Sequence, residues 1–446
     1  MDADSRVRAV VAAPPAYSAP APASESPAAA RLRELLEGRH LPALDGLRAV
    51  AVGLVIGFHA GFRIFPGPLG VQVFFVLSGF LITWLMLKEH QRTGTVSLRA
   101  FYTRRALRIF PAYYVFLGVS ALLTWVIPLW TPWPGVRGMF IAGLFYAVNY
   151  YASITNPNPS PITHAWSLGV EEQFYLLWPP IARRVGLDRP RLAWGLAGLM
   201  VAVAVWRSVA FSVLRRPGWE YTAFDTRCDA LAAGCLLAIL LQRARVRELA
   251  ARLGKSSILP LVFGAALAYS QVAPRRYRGL FSGTVDSVLI AVLLVQLMQL
   301  HDRWLWRWLE WRVVRFLGLI SYPLYLYHQH AFRIAFDLTR LRYSAQLLTG
   351  LALSIGLAMA SYYGVERPFL RLKRRFSRAD GQGRTADAAV YPPISPSSVG
   401  GNADRSTSSR APRGGLTSRR MTGRPPACFD ATTSATCPVT CSCAPR

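Results

Sequence analysis

The sequence predicts an all-α integral membrane protein, a bundle of about ten transmembrane helices with disordered tails. Of the 446 residues, 52% are hydrophobic, and they cluster in runs that match the ~20 residues a helix needs to cross a bilayer. The basic residues lie mostly in short segments between these runs, as is typical of cytoplasmic loops. The formal charge of +28 is therefore explained by topology, and nucleic acid is not expected as a partner.

The apolar runs and the charges between them predict ten membrane spans. The spans lie near residues 44–62, 69–87, 110–129, 165–182, 191–213, 228–242, 256–272, 283–300, 315–335 and 345–364. Residues 182–189, 242–247 and 367–378 are basic and are expected in the cytoplasm, whereas the loop 153–164 has no lysine or arginine and is expected outside. This arrangement holds if the apolar stretch 137–151 is re-entrant or interfacial. It places both termini in the cytoplasm and the protein in the plasma membrane.

Composition divides the chain into three parts. Residues 1–38 are rich in Ala and Pro, lack the apolar core of a secretory signal, and are expected to be a disordered cytoplasmic extension. Residues 39–376 form the membrane domain, and residues 377–446 are expected to be a disordered low-complexity tail. Four of the six cysteines lie in that tail with no common zinc-binding spacing, so no metal site is expected.

The first span contains two ionisable residues, Arg48 and His59. They are eleven residues apart, close to three helical turns, and so are expected on one face at a separation of about 16 Å. Ionisable side chains inside a membrane are costly and usually functional. This pair therefore predicts a reaction path between the two membrane faces.

Three arginines, Arg104, Arg105 and Arg108, precede the third span. Arg105 and Arg108 are three residues apart on one helix face, where paired guanidinium groups suit phosphates. A simpler interpretation is a cytoplasmic stop that contacts lipid phosphates. In the second span, Gly70 and Gly79 allow close helix packing, and Ser78 could bind a ligand inside the bundle.

The fourth span begins with an unusually polar segment that includes Trp166, Glu171 and Tyr175. Glu171 and Tyr175 are four residues apart on one face, and the carboxylate is expected to face the bundle interior because lipid exposure is unfavourable. A structural hydrogen bond between helices explains the segment equally well. Further polar candidates follow; they are Arg227, Asp229, Tyr322, His328 and Glu366. His328 taken alone is more typical of a packing histidine.

Together these segments resemble the membrane-bound acyltransferase 3 family, which O-acylates sugars and related compounds. The matching segments are Asp45-Gly46-Leu47-Arg48 and His59; Gly70-Val71, Phe74-Phe75 and Ser78-Gly79-Phe80; Arg104-Arg105, Arg108 and Pro111; Trp166-Ser167-Leu168, Glu171 and Gln173-Phe174-Tyr175; Arg227 and Asp229-Ala230-Leu231; Ser321-Tyr322, Tyr325-Leu326 and His328; and Glu366 with Pro368. Any one of them is weak, but seven in order, from about Leu41 to Phe369, are specific.

The resemblance implies an acyl-CoA donor, most simply acetyl-CoA, that approaches from the cytoplasm, and a hydroxyl acceptor on a carbohydrate or glycosylated molecule. It gives catalytic importance to Arg48 and His59, with roles for Arg105, Arg108 and Glu171. No bound cofactor is implied. Some members carry a C-terminal esterase-like domain, and the tail of this chain is expected to be too short and too polar for one.

The sequence therefore predicts a membrane O-acyltransferase with His59 as general base, since the ordinary pKa of imidazole is near neutral pH. Glu171 would orient an imidazole or bind the acceptor. Ser78 and Gly79 are expected to help bind the donor, whereas Trp166, Tyr175, Arg227, Asp229, Tyr322, His328 and Glu366 are expected at the acceptor or in support. The competing function is a transporter or flippase, although no internal repeat is visible. An interaction protein would leave the intramembrane charges without a role.

Overall fold

The computed structural model describes residues 25–38, 41–62, 64–130, 133–155, 160–215, 217–339 and 342–377. All of them belong to one compact unit, Met1–Pro392. The second unit, Pro393–Arg446, lies outside the described residues, and so do the tail cysteines.

The described residues form helices and connecting turns, without a β-strand among them. The helices are α1 (Pro27–Glu37), α2 (Pro42–His59), α3 (Gly67–Thr93), α4 (Leu98–Trp125), α5 (Val136–Leu144), α6 (Val148–Thr155), α7 (Trp166–Val185), α8 (Pro190–Val209), α9 (Pro217–Thr222), α10 (Cys228–Leu240), α11 (Ala244–Leu253), α12 (Leu259–Val272), α13 (Arg275–Tyr277), α14 (Gly283–Leu300), α15 (Arg312–Leu319), α16 (Ser321–Leu338), α17 (Tyr343–Ser361) and α18 (Arg367–Ser377). Short 3₁₀ segments lie at Thr163–Ala165, Phe224–Thr226 and Arg307–Glu310, and π turns lie at Ala210–Leu214, Arg278–Ser282 and Tyr362–Glu366.

The all-α class predicted from the sequence is confirmed over these residues. Five continuous helical stretches are long and apolar enough to cross a membrane; they are Gly67–Thr93, Leu98–Trp125, Pro190–Leu214, Arg275–Leu300 and Tyr343–Leu372. A helix also lies at each of the other five predicted spans, where α10 and α12 are shorter than a full crossing and α2, α7 and α16 carry polar residues. The structure therefore supports a multi-pass membrane protein, whereas the count of ten crossings stays a prediction.

The apolar stretch 137–151 does not form one continuous helix. It is divided between α5 and α6, of nine and eight residues. Between them Tyr146 adopts a left-handed backbone conformation (φ 54°), which is unfavourable for a side chain of this size. At about 1.5 Å per residue neither helix crosses ~30 Å of hydrocarbon, in line with a re-entrant or interfacial segment.

Glycines bring α3 close to its neighbours, as the sequence predicts. A Cβ atom at Gly79 would lie 2.0 Å from the Leu231 carbonyl oxygen of α10, and a Cβ at Gly234 would lie 2.0 Å from the Val76 carbonyl oxygen of α3. The two glycines therefore form a reciprocal contact between backbones. This contact gives Gly79 a packing role, which differs from the donor-binding role expected of it.

The helix α1 lies within the part of the chain that was predicted to be disordered, so that prediction is wrong for Pro27–Glu37. Ser26 caps its N-terminus, and Leu32 is completely buried. Glu25 pairs with Arg247 of α11 (2.7 Å) and with Arg33 (3.2 Å). Burial raises the pKa of Glu25, but the hydrogen bonds from the two arginines outweigh it and hold that pKa below its usual value. The remainder of 1–38 lies outside the described residues.

Candidate active site

Glu171 is the centre of a polar cluster between α3, α4 and α7. Ser78 donates a hydrogen bond to one carboxylate oxygen (3.1 Å), and the Tyr175 hydroxyl lies 3.5 Å from the other. The Arg105 guanidinium lies 3.8 Å from the centre of the Tyr175 ring, and both Arg105 and Arg48 act electrostatically on the carboxylate. The predicted shared face of Glu171 and Tyr175 is confirmed, and their helix is joined to two others.

Other predicted residues lie around the same end of the bundle. Glu366 is buried in the π turn Tyr362–Glu366, and the positive charge of Arg108 acts on its carboxylate. The Tyr322 hydroxyl donates to the Ile109 carbonyl oxygen of α4 (3.3 Å). Arg104 forms an ion pair with Glu89 (2.8 Å), which holds α4 to α3. We call the region of Arg48, Arg104, Arg105, Arg108 and Glu171 the basic end.

The four imidazoles of His59, His164, His328 and His330 form a second cluster, which we call the histidine end. Nδ1 of His59 lies 3.2 Å from Nε2 of His328, although the two residues are 269 positions apart. The rings of His164 and His328 are 5.2 Å apart, and Phe116 contacts both the His164 and His330 rings. Four of the seven histidines in the sequence meet here. His59 is exposed at the surface, whereas the other three are buried.

Backbone carbonyl groups fix the tautomers of the His59–His328 pair. A carbonyl oxygen only accepts, so Nδ1 of His328, 2.6 Å from the Tyr325 oxygen, carries a hydrogen. Nδ1 of His59, 2.9 Å from the Val55 oxygen, carries one as well and shares it with Nε2 of His328. Nε2 of His59 is therefore unprotonated in the neutral ring, and no residue in the described part of the chain hydrogen-bonds to it.

Ser120 and His330 form a serine–histidine contact that is unsuited to activating the serine. Their Oγ and Nε2 atoms are 2.8 Å apart, but the Trp130 indole donates to Nδ1 of His330 (3.2 Å). Because an indole nitrogen only donates, Nδ1 must accept and Nε2 must carry the hydrogen of a neutral ring. That hydrogen points at Ser120, which in turn donates to the Phe116 carbonyl oxygen (2.8 Å). His330 therefore has no lone pair to deprotonate Ser120.

The basic end and the histidine end lie at opposite ends of the same helices. Along α4 and α16 the contacts run from Ile109–Tyr322, through Phe116–Tyr327, to Ser120–His330. On α2, Arg48 lies at the basic end and His59 lies at the histidine end, about 16 Å apart at 1.5 Å per residue. The two residues, which are eleven positions apart in the sequence, therefore belong to two distinct clusters.

A third polar group lies around Asp229 and Arg227 at the start of α10. Asp229 forms a buried ion pair with Arg207 of α8 (2.9 Å), and Thr284 of α14 donates to the same carboxylate oxygen (2.6 Å). Asp229 thus ties three helices together. Arg227 takes no part in this ion pair; its guanidinium lies 5.7 Å from the centre of a Trp166 ring and 5.2 Å from that of Tyr221.

Sequence reasoning missed three polar residues of these clusters, His164, His330 and Arg207, and it missed Asn149 as the partner of Gln173. Gln173 exchanges hydrogen bonds with Asn149 of α6 and so holds α6 against α7. A signal was available for His164 and His330, because histidine is scarce in this chain and each lies beside a matched motif. Arg207 also had a signal, because it is an ionisable residue alone among apolar residues inside the predicted span 191–213.

The sequence model of the acyltransferase 3 family, described as an acyltransferase domain, matches residues 41–363. The chain belongs to the acyltransferase 3 family. That range contains every residue of the basic end and the histidine end. The family is one of acyltransferases that do not transfer amino-acyl groups, which is the enzyme class predicted from the motifs.

Curated relatives of the chain are named as O-acetyltransferases or putative O-acetyltransferases. The chain is 31% identical to the peptidoglycan O-acetyltransferase OatA of Listeria monocytogenes over 65% of this chain and 49% of the relative. It is 31% identical to the putative peptidoglycan O-acetyltransferase YrhL of Bacillus subtilis, over 76% and 56%, and 29% identical to a putative O-acetyltransferase of Staphylococcus aureus, over 74% and 57%. The chain thus spans about half the length of these relatives. No solved structure matches it.

Proposed function

We propose that this acyltransferase 3 protein is a multi-pass membrane O-acetyltransferase. It would move an acetyl group from acetyl-CoA to a hydroxyl group of a cell-envelope carbohydrate, with peptidoglycan as the first acceptor to test because two relatives carry that name. The observation that carries the proposal is the His59–His328 pair. It leaves the lone pair of His59 Nε2 exposed and holds Nδ1–H against a second imidazole.

His59 acts as the general base in this proposal. Nε2 takes the proton from the acceptor hydroxyl while the oxygen attacks the thioester carbonyl carbon; the carbon–sulfur bond then breaks and the CoA thiolate takes up a proton. When Nε2 is protonated, Nδ1–H still points at His328 and the Val55 carbonyl oxygen, which stabilise the imidazolium. His328 thus has the orienting role that a carboxylate has in many catalytic triads.

The donor would enter at the basic end. Guanidinium groups of Arg105 and Arg108 suit the phosphates of CoA, and Arg48 with Glu171 would line the route of the thioester arm. The positive-inside rule puts this end in the cytoplasm, where acetyl-CoA is made, and puts His59 toward the outer face. Both termini would then be cytoplasmic, as the charge pattern predicts.

Direct transfer, without an acyl-enzyme, is the favoured mechanism. A nucleophilic serine needs a base that accepts its proton. The one serine–histidine side-chain pair among the described residues, Ser120–His330, has its hydrogen bond in the opposite direction. Cys228 and Cys235 are buried in α10 away from any imidazole contact in this part of the chain.

The test is an acetyl-transfer assay with the full chain purified in lipid nanodiscs. Labelled acetyl-CoA is incubated with soluble peptidoglycan glycan strands, and both the labelled glycan and the free CoA are measured. Wild-type protein should release CoA and label the glycan in equal amounts. His59→Ala should lower both by about 10²–10⁴-fold while the protein keeps its membrane insertion, and His90→Ala, which changes a histidine outside the site, should leave them unchanged.

Two results would contradict the proposal. Full activity of a correctly inserted His59→Ala protein would exclude the base assignment. With the same protein in proteoliposomes, movement of a glycan across the membrane without release of CoA would favour a transporter, which the buried charges alone also allow.

A further inference from the structure

Arg227 is a buried cation that no residue in the described part of the chain neutralises by direct contact. Three arginines are buried in the part of the chain that the structure describes: Arg207, Arg227 and Arg247. Arg207 bonds a carboxylate and two oxygens of threonine residues, and Arg247 bonds Glu25 and two carbonyl groups. The Arg227 guanidinium has no hydrogen bond or ion pair with any described residue, and its Nε is completely enclosed without a partner.

The aspartates near Arg227 are hydrogen-bonded to other groups. Asp229 is bound to Arg207 and Thr284, Asp225 accepts from two tryptophan indoles, and Asp286 accepts from Ser270 and Gln271. Asp229, Asp286 and Glu220 act on Arg227 only through space. The contacts with the Trp166 and Tyr221 rings recover part of the desolvation cost of the guanidinium, but a ring face supplies no hydrogen-bond acceptor. Since Nε is enclosed, the N–H groups of the two terminal nitrogens are left for a ligand that accepts.

The position of Arg227 assigns that ligand to the acceptor side of the site. Trp166 begins α7, and the next residue, Ser167, hydrogen-bonds the Tyr325 hydroxyl (2.8 Å), whose ring lies 5.8 Å from His328. Glu171, at the basic end, is five residues further along α7, or about 7.5 Å. Tyr221 is 38% exposed, so that the group of rings around Arg227 opens to the surface.

We propose that Arg227, together with Trp166 and Tyr221, binds an anionic group carried by the acceptor sugar. The guanidinium would bind a carboxylate or phosphate through two parallel hydrogen bonds, and the exposed face of Tyr221 would lie against the sugar ring. This inference rests on the proposed function and narrows its acceptor to a negatively charged glycan. A neutral glycan of the same length would leave the guanidinium unpaired and bind less tightly.

A binding experiment on the full chain in detergent tests the inference without depending on turnover. The probes are the disaccharide of N-acetylglucosamine and N-acetylmuramic acid with its free carboxylate, N-acetylglucosamine 1-phosphate, neutral N,N′-diacetylchitobiose, and coenzyme A. Affinity is measured by calorimetry. Wild-type protein should bind the carboxylated or the phosphorylated sugar about tenfold or more tightly than N,N′-diacetylchitobiose, and the stronger of the two identifies the anion.

Variants separate the role of Arg227 from a structural role. Arg227→Gln should remove the preference for the anionic sugar and leave the affinity for coenzyme A unchanged, whereas Arg227→Lys should keep part of the preference. Arg333→Gln is the matched control, because Arg333 also lies against an indole (5.3 Å) but already has Asp337 as its partner (2.5 Å). Its selectivity should equal that of the wild type.

Equal wild-type affinity for charged and neutral sugars would overturn the inference, and that comparison needs no variant to fold. Loss of coenzyme A binding in Arg227→Gln would move the residue to the donor side and overturn it as well. Charge-selective binding without acetyl transfer would instead contradict the proposed function and leave the anion site in place.

Discussion

His328 offers the sharpest test of the site, because it contacts His59, the proposed base, from inside the bundle. It is completely buried, and Nδ1 is fixed by the Tyr325 carbonyl group, so that Nε2 is presented to His59 as an acceptor. His328→Ala removes that acceptor and leaves Nε2 of His59 in place. His328→Gln can restore it through the amide oxygen.

The expected size of the effect follows from the charge that develops on His59. A hydrogen bond to a charged group contributes roughly 1.5–3 kcal/mol, and each ~1.4 kcal/mol changes a rate tenfold. His328→Ala should therefore lower kcat by about 10- to 150-fold, with a smaller change in KM, and His328→Gln should recover part of the loss. Removal of His59 itself should cost more, since general base catalysis contributes about 10²–10⁴-fold.

The assay is acetyl transfer to glycan strands, measured for the two single variants and for the double variant with His59→Ala. If His328 acts through His59, it should have no further effect once His59 is gone. His330→Ala is the matched control, because it removes a buried imidazole from the same helix that contacts Ser120 and Trp130 instead of His59. An unchanged kcat in His328→Ala would refute the positioning role. So would a kcat that His328→Ala lowers by the same factor in the His59→Ala protein as in the wild type.

Three other predictions concern packing, mechanism and pH. Gly79→Ala should lower the free energy of unfolding by about 1–3 kcal/mol in denaturant titrations, because its Cβ would meet Leu231, whereas Gly53→Ala, with open space around it, should not. Ser120→Ala should keep its transfer activity, and the wild-type protein should trap no acetyl group in mass spectra; an inactive, folded variant would favour an acyl-enzyme. Since the pKa of Glu25 is lowered, its contribution to docking α1 is present above the ordinary glutamate pKa and is lost as pH falls below it, so limited proteolysis of α1 should increase at acid pH, and Glu25→Gln should show fast cleavage at neutral pH as well.

The fold was largely predictable because apolar runs determine where helices lie in a membrane protein. Helices occur at all ten predicted spans, and the glycines of α3 pack as expected. The helix α1 was missed because composition was averaged over residues 1–38, which hid a short segment with a serine cap and buried leucines. The serine cap, the proline in the first turn and the helix-forming residues after them were a local signal for this helix, whereas its packing against α11 was not visible in the sequence.

The site was predictable within a helix and unpredictable between helices. Spacing placed Glu171 and Tyr175 on one face, because helical periodicity is local. It gave no information on the partner of His59, since residues 59 and 328 meet only after α2 and α16 pack together. His328 taken alone was more typical of packing, and its contact with His59 changes that interpretation. For Gly79 the interpretation changes in the opposite direction. This residue of a matched motif was expected to help bind the donor, and the structure gives it a packing contact between two helices.

The directions of the hydrogen bonds connect the fold to the mechanism. The two candidate bases of the histidine end differ in one respect: the partner of Nδ1 is a carbonyl group for His59 and an indole for His330. The carbonyl group forces the hydrogen onto Nδ1 and frees Nε2, whereas the indole forces it onto Nε2 and blocks it. His59 alone of the two can take a proton from a substrate. Since it lies about 16 Å along α2 from Arg48, we infer that a donor anchored at the basic end must extend its thioester arm along the bundle, so that the acetyl group is carried to His59 by CoA itself.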